Sequence, residues 1–332
     1  MNLITGATGL VGAHLAVLLL EKKETVKALY RSENKINQVK SFFELYQKSD
    51  LFEKIDWIKG DILDIPSLEA AMQNVKYVYH CAAHISFDPS EADQLTQVNV
   101  EGTANVVNMA LSTGVVKLCH VSSIAALGDP KSADEIVDEN TDWDAAKPHS
   151  DYALSKYGAE HEVYRGYFEG LDMVIVNPGV ILGAGFWQQG SGVLFDQIAK
   201  GLPFYSKGQT GFVSAWDVVQ IMIIAMNSQV VNDRFIIISE TKTFEDIAFK
   251  IADALGAKRP RFEAKPWMTT LGYKLDYLIS KLLFKKRHLS RAMAKSMHSK
   301  ENFSNQKALQ AFDFAFEKID QVILELAKKY RS

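Results

Sequence analysis

The sequence predicts an α/β fold, a doubly wound parallel sheet with a smaller, mostly helical C-terminal lobe. Two observations carry this. Through the first 180 residues short apolar runs alternate with longer segments of helical period, the pattern of successive βαβ units. A glycine-rich turn, TGATGLVG, then joins the first apolar run directly to the first helical segment. Taken in order, the apolar runs place strands at 3–5, 26–30, 56–59, 77–81, 117–122 and 173–177, with the polar Asp56 marking a movable boundary. Helical period falls between them at 11–21, 35–48, 66–72, 93–112 and 151–168. After Pro178 the pattern loosens into GVILGAGFWQQGSG. A strand and helix return at 212–214 and 217–222, another strand at 234–239, and the chain from about Thr241 reads as mostly helical.

Composition narrows the function classes. The chain has 332 residues, 37 Lys and Arg against 40 Asp and Glu for a net charge of −3, 47% apolar and 23% charged residues. Such proportions exclude collagen-like, low-complexity, coiled-coil and disordered classes, and the length suits two domains or one large domain with an appendage. Cys81 and Cys119 lie inside apolar runs and read as buried thiols in a reducing compartment, with no disulfide framework and no metal site implied. The N-terminus lacks a basic segment followed by a long apolar one, and the runs at 15–20 and 218–226 are too short to span a bilayer. A cytoplasmic protein is expected. The near-neutral charge argues against a nucleic-acid partner, since backbone binding needs a basic stripe.

The glycines of the first turn, Gly6, Gly9 and Gly12, are spaced G-x-x-G-x-x-G. Between a strand and a helix they permit a tight turn and close approach to a pyrophosphate. The helix N-terminal amides and dipole then stabilise its charge, which makes Thr8, Leu10 and Val11 cofactor contacts as well. In a dinucleotide site an acid at the end of the second strand bonds the ribose hydroxyls of NAD. Here that strand ends Leu29-Tyr30-Arg31-Ser32 with Lys35 close behind. Cations there suit a 2′-phosphate, so the reading favours NADP, with NAD possible.

Tyr152 and Lys156 form Y-x-x-x-K near the start of a helix and share a face. A tyrosine hydroxyl titrates near 10, and a lysine cation one turn away is expected to lower it. Ser122 and Ser123 end the fifth strand, at the carboxyl edge where open α/β sheets bind ligands; a hydroxyl there can bond a carbonyl oxygen as charge develops on it.

TGATGLVG, GDIL (60–63), HCAAH (80–84), NVEGT (99–103), SSIAALG, YALSK and NPG (177–179) stand in the order and spacing of the extended short-chain dehydrogenase/reductase family, which the first 240 residues or so resemble. The resemblance implies a seven-stranded Rossmann sheet with a small substrate lobe. It implies that Asp61 and Ile62 meet the adenine, that Cys81, Ala82 and Ala83 line the middle of the cofactor, and that Pro178, Gly179, Val180 and Ile181 lie on the nicotinamide side. Ser123 becomes the substrate-orienting serine with Ser122 its neighbour, Tyr152 the proton donor or acceptor, Lys156 the holder of the nicotinamide ribose, and Asn99 a support for a proton relay. The implied domains are 1–178 with 208–240 for the cofactor and 179–207 with 241–332 for the substrate. The family also implies a homodimer.

Within the family, sugar-nucleotide dehydratases carry an Asp-Glu pair after the active-site hydroxyl, whereas Ser123 is followed by Ile124-Ala125. The arginine that grips a substrate diphosphate has Thr210 and Gly211 in its place. A substrate without a diphosphate follows, since burying those charges unpaired is costly. His84, Phe186, Trp187, Phe204, Trp267 and Tyr273 are candidates to line an apolar substrate pocket. The reading is an NADP-dependent reductase of a ketone or aldehyde, or oxidant of the alcohol, similar to dihydroflavonol reductases. Its alternatives are a nucleotide-sugar epimerase with bound NAD, a 3-beta-hydroxysteroid-type dehydrogenase/isomerase, and a non-catalytic dinucleotide sensor. The segment from Trp267 to Arg291, with a basic cluster at 285–287, reads as a lid or packing helix in preference to a membrane-surface helix. Positive charge is expected to concentrate at the cofactor phosphate.

Overall fold

The structure, a computed structural model, describes residues 1–132, 135–283, 287 and 289–331. Strands β1 (Asn2–Thr5), β2 (Val26–Tyr30), β3 (Asp56–Lys59), β4 (Tyr77–His80) and β5 (Lys117–Val121) alternate with helices α1 (Leu10–Glu21), α2 (Glu33–Leu45), α3 (Ser49–Phe52), α4 (Ile65–Met72), α5 (Ala92–Leu95) and α6 (Gly102–Ser112). The short β6 (Ile136–Val137) and the long α7 (Asp151–Phe168) lead to β7 (Asp172–Pro178) and β8 (Val180–Leu182). There follow α8 (Gly192–Ala199), β9 (Phe204–Tyr205), β10 (Gln209–Ser214), α9 (Ala215–Asn227), β11 (Asp233–Ile237) and β12 (Glu240–Thr243). The chain ends with α10 (Phe244–Leu255), β13 (Phe262–Glu263), α11 (Pro266–Leu283), α12 (Arg291–Ser296), β14 (Asn302–Phe303), α13 (Gln306–Phe312) and α14 (Ile319–Arg331).

Seven strands pair in the order β3-β2-β1-β4-β5-β7-β11, all parallel. The order reverses between β1 and β4, which opens a crevice at their carboxyl ends. Both faces are covered: Leu15, Phe42, Phe43 and Met222 pack one, and Leu68, Met72, Val106 and Val163 the other. Burial on both faces is why the central strands read as unbroken apolar runs.

Two features of the structure cross the domain division drawn from the sequence. Of the 208–240 return, only β11 joins the large sheet; β10 pairs with β8 and β12 in a separate three-stranded sheet that crosses the drawn boundary. Within the segment assigned to the substrate lobe, Ala308 and Phe312 of α13 belong to the core under the large sheet. The helix read at 93–112 is also interrupted, by a π-helical turn at Thr96–Glu101. Among the described residues no helix is long and apolar enough to cross a membrane.

Candidate active site

The first turn is shaped by its glycines. Gly6 has φ +68°, and a Cβ there would lie 2.5 Å from the Ala82 amide nitrogen, so the loop lies directly on the chain leaving β4. A Cβ on Gly12 would fall 2.4 Å from the Gly6 carbonyl oxygen, which fixes α1 against the turn. Gly9 is the N-cap and has more room, its nearest neighbour being 3.4 Å away. Its lack of a side chain leaves the first-turn amides of Leu10, Val11 and Gly12 open, without helical acceptors. This cradle fits a dinucleotide pyrophosphate; Thr8 stands half-buried beside it.

At the end of β2, Arg31 is exposed and its guanidinium lies 3.6 Å from the Asp61 carboxylate. A surface cleft is lined by Arg31, Ser32, Glu33, Asn34 and Lys59. Lys35 is exposed in the first turn of α2 and does not line this cleft; the second cation that does is Lys59, which the register sets beside Tyr30. Lys59 was legible as a cation ending the third strand. Ile62 is buried in the core against Gly102, so only its backbone could meet an adenine. Asp61 stays partly exposed and accepts a bond from the Leu63 amide at 3.0 Å.

Ser123 and Tyr152 stand together at the carboxyl edge, where the serine side chain favours the tyrosine's ionised form. Ser123 Oγ accepts from the Ala125 amide at 3.1 Å. Lys156 is 2% exposed, and its Nζ donates to the Val121 carbonyl at 2.7 Å. Burial lowers it to about 8, with Glu160 pulling the other way. The lowering of Tyr152 expected from its lysine is not found. Burial pushes the hydroxyl up, Ser123 alone opposes it, and the Lys156 ammonium is engaged at Val121. Tyr152 is therefore protonated at neutral pH. Ser122 donates its amide to Val176 and keeps a buried hydroxyl that has no partner among the described residues.

The π-helical turn presents Asn99. Its Nδ2 donates to the His84 carbonyl and to Ser155 Oγ, both at 2.9 Å, while its Oδ1 accepts the His84 amide at 2.7 Å. Asn99 thus pins the strand exit to the helix that carries Tyr152. The His84 ring lies 2.8 Å from the Glu91 carboxylate. His80 is clamped between Thr5, at 2.6 Å, and Thr103, at 3.0 Å, and burial lowers it to about 3. Cys81, half-buried, is pushed up to about 12 by burial, which leaves a neutral thiol beside the glycine loop. Ala82 is half-buried and Ala83 exposed on the same exit.

A polar network behind the serine was not anticipated. Asn177 donates to the Ser123 carbonyl at 3.0 Å and to the buried Glu160, whose other oxygen is 3.2 Å from Arg234. Arg234 reaches the Glu139 carbonyl at 2.6 Å. These residues are far apart in sequence, so no local pattern exposes them. On the side expected to meet the nicotinamide, Pro178 is buried while Val180 and Ile181 are half-buried; a Cβ on Gly179 would meet the Gly211 carbonyl at 2.3 Å, and one on Gly211 the Ile238 side chain at 2.5 Å. With Thr210 also buried, there is no room here for an arginine.

The aromatic pocket drawn from the sequence is not assembled. Phe186 is 2% exposed and packs against Phe42 in the core. Trp187 packs on Phe195 and Tyr330, and Phe204 on Phe262. Trp267 is exposed on α11. The ring that does approach Tyr152 is Phe87, with centroids 5.5 Å apart. Phe87 lines a cleft with Ser86, Asp88, Glu91, Arg287, Ser290 and Met293. The neighbouring Lys285 and Lys286 of the basic cluster lie outside the described residues.

The model of the NAD dependent epimerase/dehydratase family matches residues 2–237. The chain is 29% identical over 270 residues to sterol demethylase protein B of Methylococcus capsulatus, covering 80% of this chain and 77% of that protein. It is 27% identical over 255 residues to a cinnamoyl-CoA reductase of Medicago truncatula, covering 74% and 77%. Among solved structures, the crystal structure of gox2253 superposes with a TM-score of 0.81 at 24% identity, covering 100% of this chain and 98% of that one.

Proposed function

From the premise that the chain belongs to the NAD dependent epimerase/dehydratase family, whose members are NAD(P)-dependent enzymes of the oxidoreductase type, we propose that it is an NADP-dependent carbonyl reductase working on a ketone or aldehyde. The single observation that carries the reading is the grouping of Ser123 and Tyr152 at the carboxyl edge with the buried Lys156 one turn on, where Ser123 is followed by Ile124-Ala125 in place of an acid-base pair. Nicotinamide, when bound, supplies the hydride. Tyr152, kept protonated by burial, donates its hydroxyl proton to the carbonyl oxygen, and Ser123 bonds the same oxygen as it gains charge. Lys156 contributes a buried cation near the site, which favours negative charge developing there. Arg31 and Lys59 favour the 2′-phosphate of NADP. The filled space at Thr210 and Gly211 favours a substrate without a diphosphate.

The test is a panel of ketones, aldehydes and nucleotide sugars followed by loss of NADPH absorbance. Turnover is expected with an apolar carbonyl compound and not with nucleotide sugars. Stoichiometric NAD in the purified protein, together with sugar epimerisation without net absorbance change, would overturn the reductase in favour of the epimerase.

A further inference from the structure

We propose that the outer face of α11 docks this protein onto an anionic lipid surface. The helix reverses the ordinary burial rule. Among the described residues, its buried positions are small and polar. Thr269 and Ser280 are buried, with Thr269 Oγ1 2.9 Å from His298 Nε2. Gly272 faces Leu289, and the Asp276 carboxylate accepts the Leu289 amide at 3.1 Å. Its outer face carries Trp267, Leu271, Leu275, Leu278 and Ile279, which are 48–65% exposed. The spacing i, i+4, i+8, i+11 places four of these on one stripe about 16 Å long, at about 1.5 Å per residue. A contiguous apolar stripe of this kind marks an interaction site, in contrast to scattered surface leucines.

The charge around the stripe selects its occupant. Residues 258–300 contain 12 Lys and Arg against 2 Asp and Glu, a net of +10 in a chain whose total is −3. Positive charge is thus concentrated in this stretch of the sequence, where Arg259 is paired with Asp253 just outside it. Even without Lys285 and Lys286, the segment carries +8. Exposed Lys274 and Lys281 fall on the stripe side by helical rotation, where long stems can lie along apolar surface with their ammonium groups in the headgroup layer. A second copy would set one strongly positive surface against another. An anionic bilayer matches both the charge and the apolar stripe, as for helices that lie in the interface plane. Since no described helix can span, the contact is with one leaflet surface.

The test is flotation of the full chain with vesicles of phosphatidylcholine alone or mixed with phosphatidylglycerol. The protein is expected to float with the anionic vesicles at low salt, and at least about tenfold less with neutral vesicles or at high salt, where charges are screened. The double variant Leu271→Glu/Leu275→Glu, both on the exposed face, is expected to keep its melting temperature and lose flotation. Three results overturn the proposal: no flotation of the wild-type chain on anionic vesicles, flotation of the folded double variant equal to wild type, or a wild-type dimer that the double variant converts to monomer without any vesicle binding.

Discussion

Around Tyr152 the protein buries charge and provides it with partners; along α11 it buries hydroxyls and leaves leucine in water. Lys156 and Glu160 are each 2% exposed, yet the lysine holds the Val121 carbonyl and the glutamate holds Asn177 and Arg234. Taking an ion out of water costs several kcal/mol even after relaxation, so such groups persist where their placement does something. The α11 face breaks the same rule in the other direction. Local exceptions to polar-outside, apolar-inside packing are where function is to be sought. Here one exception faces inward, to the proposed reacting centre, and the other outward, to the proposed docking surface.

The sharpest test of the inward exception is Tyr152→Phe, which removes the proton and keeps the ring against Phe87. Turnover is expected to fall by about 10²–10⁴-fold, the usual contribution of a positioned acid, with NADPH affinity within about twofold by fluorescence titration. Full activity in this variant removes the tyrosine from the chemistry. Next in size is Glu160→Ala. It leaves the Arg234 cation and the Asn177 amide without their buried partner, and a loss of about 3–5 kcal/mol is expected from urea unfolding. A loss below about 1 kcal/mol would show that the network behind Ser123 holds nothing in place.

Much of this inward region could be read from the chain. Gly6, Ser123, Tyr152 and Lys156 sit in local patterns, because a tight turn, a strand end and one helical turn each require particular residues a few positions apart. The strands were legible for the same reason: two-sided burial leaves unbroken apolar runs. What escaped was assembled across the sequence. Glu160, Asn177 and Arg234 meet only in the folded sheet. Phe87 reaches Tyr152 from the loop after β4. Phe186 and Trp187 look like pocket residues in sequence because an aromatic pair carries no sign of which side it packs on, and the structure turns them into cores. The reversal on α11 was hidden similarly. Apolar spacing gave the helix, but which face turned inward depended on Thr269 meeting His298 and Asp276 meeting the Leu289 amide.

Two smaller effects separate charge at the site from charge at its rim. Arg31→Ala is expected to weaken NADPH by about 10–100-fold, as for loss of a bond to a charged group, while leaving NADH nearly unchanged. Equal affinities for the two cofactors, unaltered in the variant, would move the phosphate contact away from Arg31. The pH profile is expected to be governed from within. Lys156 titrates at about 8 in the folded chain and near 10.5 when unfolded. Above about pH 8 the folded protein loses this cation, so kcat/KM for reduction is expected to fall by about tenfold per unit. Its contribution to stability moves the opposite way. Between these two values the unfolded chain binds more protons, so the contribution rises with pH. A flat kcat/KM profile to pH 10 would show that the cation is not needed.

The smallest effect belongs to α11, and its smallness is the point. Leu68, on α4, is 0% exposed and Leu275 is 48% exposed. Leu68→Ala removes atoms from a closed core and is expected to cost about 2–5 kcal/mol, transfer and cavity together. Leu275→Ala removes atoms from a face in water and installs the residue that best favours helix, so a change within about 0.5 kcal/mol is expected by urea unfolding. If the two substitutions cost alike, the outer face of α11 is packed in solution, and the contrast with the buried edge around Tyr152 disappears. If only the core substitution costs, the leucines along α11 are not there for the fold. Their arrangement then has to be explained by something outside the chain, which a vesicle titration of the same Leu275→Ala variant can reveal as weaker binding at unchanged stability.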